Sequence, residues 1–135
     1  MKHPEPALLA DLVAAARAAS LHAYAPYSNF RVGAAVLAGD GSIYAAANVE
    51  NASYGLTSCA ERNAVFAAVS AGARRIVAIA IHAPTMRPVA PCGACRQVIS
   101  EFGAGIKVVS TCESDERREW TIEGLLPDAF GPHSL

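Results

Sequence analysis

Six consecutive residues, Ile76-Val77-Ala78-Ile79-Ala80-Ile81, offer no polar side chain to either side of an extended chain. Successive residues of a strand point to opposite faces. This segment must therefore be covered on both, as the central strand of a sheet is when helices pack above and below it. The flanking sequence supplies those layers. Pro4 and Pro6 lead into Ala7 to Ser20, whose Leu8, Leu9, Leu12 and Val13 recur at helical spacing. Phe30 to Leu37 is an apolar strand, Gly39-Asp40-Gly41 a hairpin turn, and Ser42 to Asn48 the return strand. Strands joined so tightly run antiparallel.

After a loop from Asn48 to Leu56, Thr57-Ser58 is expected to open a helix that runs to Ala71 and stops at Gly72. Pro84, Pro88 and Pro91 mark another loop, and Cys92 to Phe102 reads as a short helix ended by Gly103 and Gly105. The next strand is Ile106 to Ser110. A strand, crossover helix and second strand predict a parallel, right-handed pairing. Thr121 to Leu126 is a last helical turn before Pro127. The expected fold is α/β, a three-layer α/β/α sandwich with a mixed, about five-stranded sheet, in one domain over residues 1–135. Alanine fills 29 of the 135 positions, which suits slim helices pressed closely on a sheet.

Charge narrows the partners. Eleven Lys and Arg balance twelve Asp and Glu for a net charge of −1, which gives no cationic field for a polyanion or an anionic membrane. A small molecule is the expected partner, and neither nucleic acid nor membrane. No apolar run reaches the ~18 residues of a membrane span. The first residues carry no uninterrupted apolar h-region with a cleavage site, so a cytoplasmic location and reduced thiols are expected. Four reduced cysteines point to metal binding or catalysis.

Three of those cysteines stand where two predicted helices begin, in Cys59-Ala60-Glu61-Arg62 and Pro91-Cys92-Gly93-Ala94-Cys95. Alone, Cys-x-x-Cys also reads as a redox pair or half of a zinc finger, and Cys59 as a small buried hydrophobe. Together they match, in its three-cysteine form, the known signature of zinc nucleobase deaminases, a ligand-x-Glu followed by Pro-Cys-x-x-Cys. Residues three apart share one side of a helix's first turn. Helix N-termini favour thiolate over thiol. Three protein ligands leave the fourth tetrahedral position for water, as at a catalytic zinc. A structural zinc needs a fourth ligand, for which Cys112 is the candidate.

Three thiolates around Zn²⁺ leave one net negative charge, which weakens the metal's hold on a water proton unless a cation offsets it. Arg62 is placed for that, although the bland reading is a solvated helix charge. If it compensates the cluster, Arg62→Ala lowers activity and raises the pH needed for full rate. Glu61 also has two readings. Ser58-x-x-Glu61 matches a capping box, and a carboxylate two positions from a metal ligand can carry protons for hydrolysis.

At this point the chain resembles the cytidine deaminase family, in its short, homotetrameric, three-cysteine branch. The resemblance extends through Cys95-Arg96-Gln97, Pro26-Tyr27-Ser28 with Phe30, Val32-Gly33-Ala34, Asn48 to Tyr54, and Leu125 to Pro132. It implies one Zn²⁺ per chain held by Cys59, Cys92 and Cys95, with Glu61 as the proton carrier. It implies deamination of cytidine and 2′-deoxycytidine for pyrimidine salvage. It also implies that Asn48 and Glu50 grip the ribose 3′-hydroxyl, Phe30 walls the nucleoside, Ala60 offers its N–H to the pyrimidine carbonyl, and Ala52 lies among the substrate-binding residues. The same resemblance implies a homotetramer in which Tyr54 and Phe130 reach a neighbouring subunit's pocket. Read without the family, Asn48 and Glu50 are a polar loop, Phe30 a first strand residue and Phe130 a core anchor. An aminonucleoside antibiotic such as blasticidin S is the rival substrate, and a structural zinc module the rival class. His3, His22, His82 and His133 stand at no ligand spacing, and Arg74-Arg75 and Glu113 to Trp120 read as solvated faces or packing.

Overall fold

The computed structural model describes residues 4–135. Helix α1 (Pro6–Ser20) is followed by β1 (Gly33–Ala38), β2 (Ile43–Ala47), a 3-10 turn at Tyr54–Leu56 and α2 (Ala60–Ser70). Then come β3 (Ile76–His82), α3 (Gly93–Ser100), β4 (Lys107–Thr111), β5 (Arg117–Thr121), α4 (Ile122–Leu125) and a closing 3-10 turn at Pro132–Ser134. The strands form one sheet in the order β2-β1-β3-β4-β5. β1 runs antiparallel to both β2 and β3, β3 and β4 are parallel, and β5 returns antiparallel.

The six-residue apolar run behaves as its composition requires. All of β3 is buried, with Ile79 and Ile81 in the core under α2 and α3, and Ala78 and Ala80 in the core under α1. The sheet is thus sandwiched between α1 on one face and α2 and α3 on the other, as expected. Gly33 fixes how close α1 lies: a Cβ there would sit 2.0 Å from the Ala16 carbonyl oxygen. In the hairpin, Gly41 has φ +92°, a conformation that L side chains rarely adopt.

Three expectations are corrected. β1 starts at Gly33 rather than Phe30, because the Asn48 side chain takes up the Val32 N–H and the Phe30 carbonyl, leaving Val32 only a backbone bond from Asn48 N to its carbonyl at 3.2 Å. α2 starts at Ala60, since Ser58 pairs with Val49 through two backbone hydrogen bonds of 3.0 and 2.9 Å. The segment read as solvated faces or packing contains the edge strand β5. α1 packs chiefly over β1 to β3, and β5 forms the far edge of the sheet. There Glu119 pairs with Lys107 at 2.7 Å and with Arg117 at 3.3 Å, and the Arg118 guanidinium lies 4.8 Å from the Trp120 ring centre. Charged side chains of this kind also protect an edge strand from pairing with another chain.

Candidate metal centre and substrate cavity

The cysteines are brought together by backbone turns into helices. Cys59 is the N-cap of α2 and Cys92 the N-cap of α3, both extended (φ −69°, ψ 152°; φ −66°, ψ 167°), and neither sulfur caps its own helix. Cys95 follows one turn into α3 and is fully buried. The three Sγ atoms lie within 4.8 Å of one another, with Cys92–Cys95 at 3.4 Å and Cys59–Cys92 at 4.0 Å. A tetrahedral zinc with Zn–S bonds of about 2.3 Å needs sulfurs about 3.8 Å apart. The donor set fits that ion.

Electrostatics prepare the sulfurs. Hydrogen bonding to the Cys95 thiol, aided by the Arg62 guanidinium, holds Cys59 down to about 5, while Cys95 is pushed up and keeps its proton. Arg62 Nη2 stands 3.5 Å from Cys59 Sγ and 3.5 Å from the Thr57 carbonyl, and its Nε is buried without a hydrogen-bond partner. The guanidinium therefore leans into the sulfur cluster and is not a solvated helix charge.

Cys112 is elsewhere. Its buried sulfur meets Ser114 Oγ at 3.3 Å and the Glu116 carbonyl at 3.5 Å, and the metal-binding group among the described residues does not include it. A four-sulfur structural site is therefore not formed. Cys112→Ser is expected to retain the full metal content and full activity; loss of metal on that substitution would restore the structural reading.

Glu61 stands at the second position of α2, only 6 % exposed. The capping box does not form, because the helix is capped at Cys59, one residue beyond Ser58. Burial, with the Cys59 charge added, raises the Glu61 carboxyl above the ordinary carboxylate range. Glu61 lines a cavity of about 260 Å³ with Phe30, Val32, Asn48, Thr57, Cys59, Ala60, Ile81, Val89, Ala90 and Cys92. That volume lies just below the 300–1,000 Å³ typical of drug-sized ligands. Ala60 occupies the first turn of α2, where backbone N–H groups lack an acceptor within the helix.

The remaining expected site residues divide. Phe30, Asn48 and Ala60 line the cavity beside the cysteines. Asn48 is buried; its Oδ1 accepts from Val32 N at 2.9 Å and its Nδ2 donates to the Phe30 carbonyl at 2.8 Å. Glu50 lies next door, in a second hollow with Tyr27, Ser28, Tyr54 and Thr57, and Thr57 borders both. Its carboxylate accepts from Tyr27 N, Ser28 N and the Ser28 hydroxyl, the last of which chiefly lowers its pKa. Ala52 and Tyr54 are exposed, Tyr54 packing edge-on against Tyr27. Phe130 is 63 % exposed and not a core anchor, and it does not border the cysteine cavity of its own chain.

Some supporting residues carry no sequence signal of their own. Asn63, one turn after Cys59, donates from Nδ2 to the Ala47 carbonyl at 2.9 Å and to the Ser58 carbonyl at 3.4 Å, tying together the segments that lead into Asn48 and Cys59. Only its being polar on an alanine-rich helix could have pointed to it. His22 and His133 are exposed, and His3 lies outside the described residues. His82 is buried against Thr111 Oγ1 at 2.9 Å, and burial lowers its pKa.

A buried acid beside a three-sulfur centre, set where two helices begin over the end of a central strand, defines the zinc-dependent deaminase class. Residues 8–112 match the family described as cytidine and deoxycytidylate deaminase zinc-binding region, and the chain belongs to that family. It is 57 % identical to a cytidine deaminase of Halalkalibacterium halodurans over 80 % of this chain and 83 % of that one. It is 50 % identical to a cytidine deaminase of Sporosarcina psychrophila over 92 % of each. The crystal structure of a cytidine deaminase from Burkholderia pseudomallei superposes with a TM-score of 0.86 at 52 % identity, covering 90 % of this chain and 98 % of that one.

Proposed function

We propose that this chain, as one domain, hydrolyses cytidine and 2′-deoxycytidine to uridine and 2′-deoxyuridine with release of ammonia, in pyrimidine salvage. The observation that carries the reading is the buried Glu61 carboxyl on the wall of a small cavity shared with Cys59 and Cys92. A zinc ion held by Cys59, Cys92 and Cys95 supplies, when bound, the Lewis acidity that makes a water nucleophilic at neutral pH.

The chain's own groups do the rest. Glu61 takes a proton from the attacking water as oxygen bonds to C4 and passes it to the ring N3. Glu61 then takes the proton of the new C4 hydroxyl and hands it to the exocyclic amine, so that the C4 carbonyl forms as the C4–N bond breaks and ammonia leaves. Its raised pKa suits both directions of transfer. The Ala60 N–H faces the pyrimidine carbonyl, and Phe30 covers the base. Asn48 has one acceptor lone pair and one N–H left beyond its two bracing bonds, enough for a hydroxyl that donates and accepts. Glu50, approaching from the adjoining hollow, shares the ribose 3′-hydroxyl, and Ala52 borders the sugar.

The exposure of Tyr54 and Phe130 supports a homotetramer in which both complete a neighbour's cavity. No described helix is long and apolar enough to cross a membrane, and a cytoplasmic site of action goes with the nucleoside substrate. Zinc-loaded protein mixed with cytidine should lower the cytidine absorbance and release one ammonia per turnover. Absence of both overturns the proposal.

Arg62 supplies a pH-dependent test. Removing its cation raises the Cys59 pKa from about 5, so protons displace the metal at a higher pH. Arg62→Ala is expected to weaken metal binding or activity roughly 10–100-fold and to move both the metal-release midpoint and the acid limb of the rate profile upward. Unmoved midpoints remove Arg62 from this role.

A further inference from the structure

The sequence motif around Cys92 and Cys95 continues into Arg96 and Gln97, to which the chemistry above assigns nothing. Both turn toward the C-terminal segment. Arg96, half-buried, donates from Nε to the Pro91 carbonyl at 2.8 Å and from Nη1 to the Leu125 carbonyl at 2.9 Å. One guanidinium thereby joins the peptide just before Cys92 to the end of α4. Gln97 Nε2 donates to the Phe130 carbonyl at 2.8 Å. Between these two ties the chain turns sharply, with Asp128 at φ +52°. Beyond them, the closing turn is held by Ser134 N to the Gly131 carbonyl at 2.8 Å.

The outcome is a backbone fixed at residue 130 and an aromatic ring left 63 % exposed. A ring that merely anchored the tail would be buried. A ring carried on a backbone already held in place loses less freedom when it docks on a ligand.

We infer that Arg96 and Gln97 are positioning residues: they fasten residues 125–131 to the helix that carries Cys92 and Cys95, and so set where the Phe130 ring is presented to the next copy's cavity. The inference rests on the proposed role of Phe130 as a wall of that cavity. Arg96 supplies the charge-assisted strut, and Gln97 makes the fine adjustment at the residue itself. Gln97 is the better probe, because its side chain is exposed and contributes nothing to the core.

The test is a double-mutant cycle on zinc-loaded protein with Gln97→Ala, Phe130→Ala and the pair, reading kcat and KM for cytidine alongside metal content and particle mass. Loss of a base–aromatic contact predicts that Phe130→Ala raises KM roughly 5–150-fold. Gln97→Ala is expected to raise KM several-fold, with kcat, metal content and mass unchanged. The double variant is expected to match Phe130→Ala alone, since a positioning group has nothing left to position. Gln97→Glu, of similar size but without the amide donor, should behave like Gln97→Ala. If Phe130→Ala leaves KM unchanged, the role of Phe130 fails. If Phe130→Ala raises KM but the two effects multiply, or Gln97→Ala has no effect, the positioning role alone fails. If Gln97→Ala lowers metal content or mass in step with activity, Gln97 is structural and the inference is overturned.

Discussion

Glu61→Gln is expected to lower cytidine turnover roughly 10²–10⁴-fold with the bound zinc unchanged. Glutamine fills the same volume and still hydrogen-bonds, so the cavity keeps its shape while the one carboxylate that lines it among the described residues is lost. A second readout does not depend on catalysis. In metal-free protein, burial raises the folded-state pKa of Glu61 above its ordinary value. Between those two values the folded chain binds the proton more strongly than the unfolded chain, so this group makes stability fall as pH rises through that window. A neutral amide lacks the term. Glu61→Gln should therefore gain stability relative to the parent as the pH is raised from 4 toward neutrality, as measured by denaturant midpoints along a pH series. Turnover within a few-fold of the parent would remove Glu61 from the chemistry. A stability difference that does not change with pH would show the carboxyl to be solvated and not buried.

Glu61 also shows how far local patterns reach. The ligand-x-Glu spacing and the Cys92–Cys95 pair were legible because the chemistry demands closely spaced residues at two helix starts. The capping-box alternative for Glu61 was equally consistent with the local sequence. What decided against it was Val49, nine residues before Ser58, which draws Ser58 into a backbone pair and moves the helix start to Ala60. The central strand was unmistakable because burial on both faces leaves an uninterrupted apolar run. β5 was not, because Arg117, Arg118 and Glu119 are exposed at the sheet edge and carry no apolar alternation. Their partners, Lys107 and the Trp120 ring, become visible only once β4 and β5 are paired. Glu50 makes the same point within the site. Its residue type suits gripping a hydroxyl, yet its carboxylate first holds the Tyr27–Ser28 turn in place. No spacing rule could have shown a side chain already bonded to a loop more than twenty residues earlier.

Removing a sulfur is the other large effect. Cys95→Ser is expected to reduce the metal content far below one ion per chain and to bring turnover to background, because two remaining thiolates hold zinc much less tightly than three. The fold should survive. Unlike a zinc finger, which is unfolded without its ion, this chain has apolar cores on both faces of its sheet, built from Leu12, Leu37 and Ala80 on one side and Val65, Ile79 and Ile99 on the other. The metal then stabilises only through its preference for the folded state, about 2.7 kcal/mol when the free ion stands at a hundred times its dissociation constant. At this chain length that corresponds to about 10 °C in melting temperature. Cys95→Ser should therefore melt cooperatively about 10 °C below the zinc-loaded parent, and close to the parent stripped by a chelator. Adding zinc should raise the parent's transition and leave the variant's in place. A variant with no cooperative transition would show that the cores cannot hold the sheet without the ion. One that keeps its metal and activity would mean that Cys95 is not a ligand.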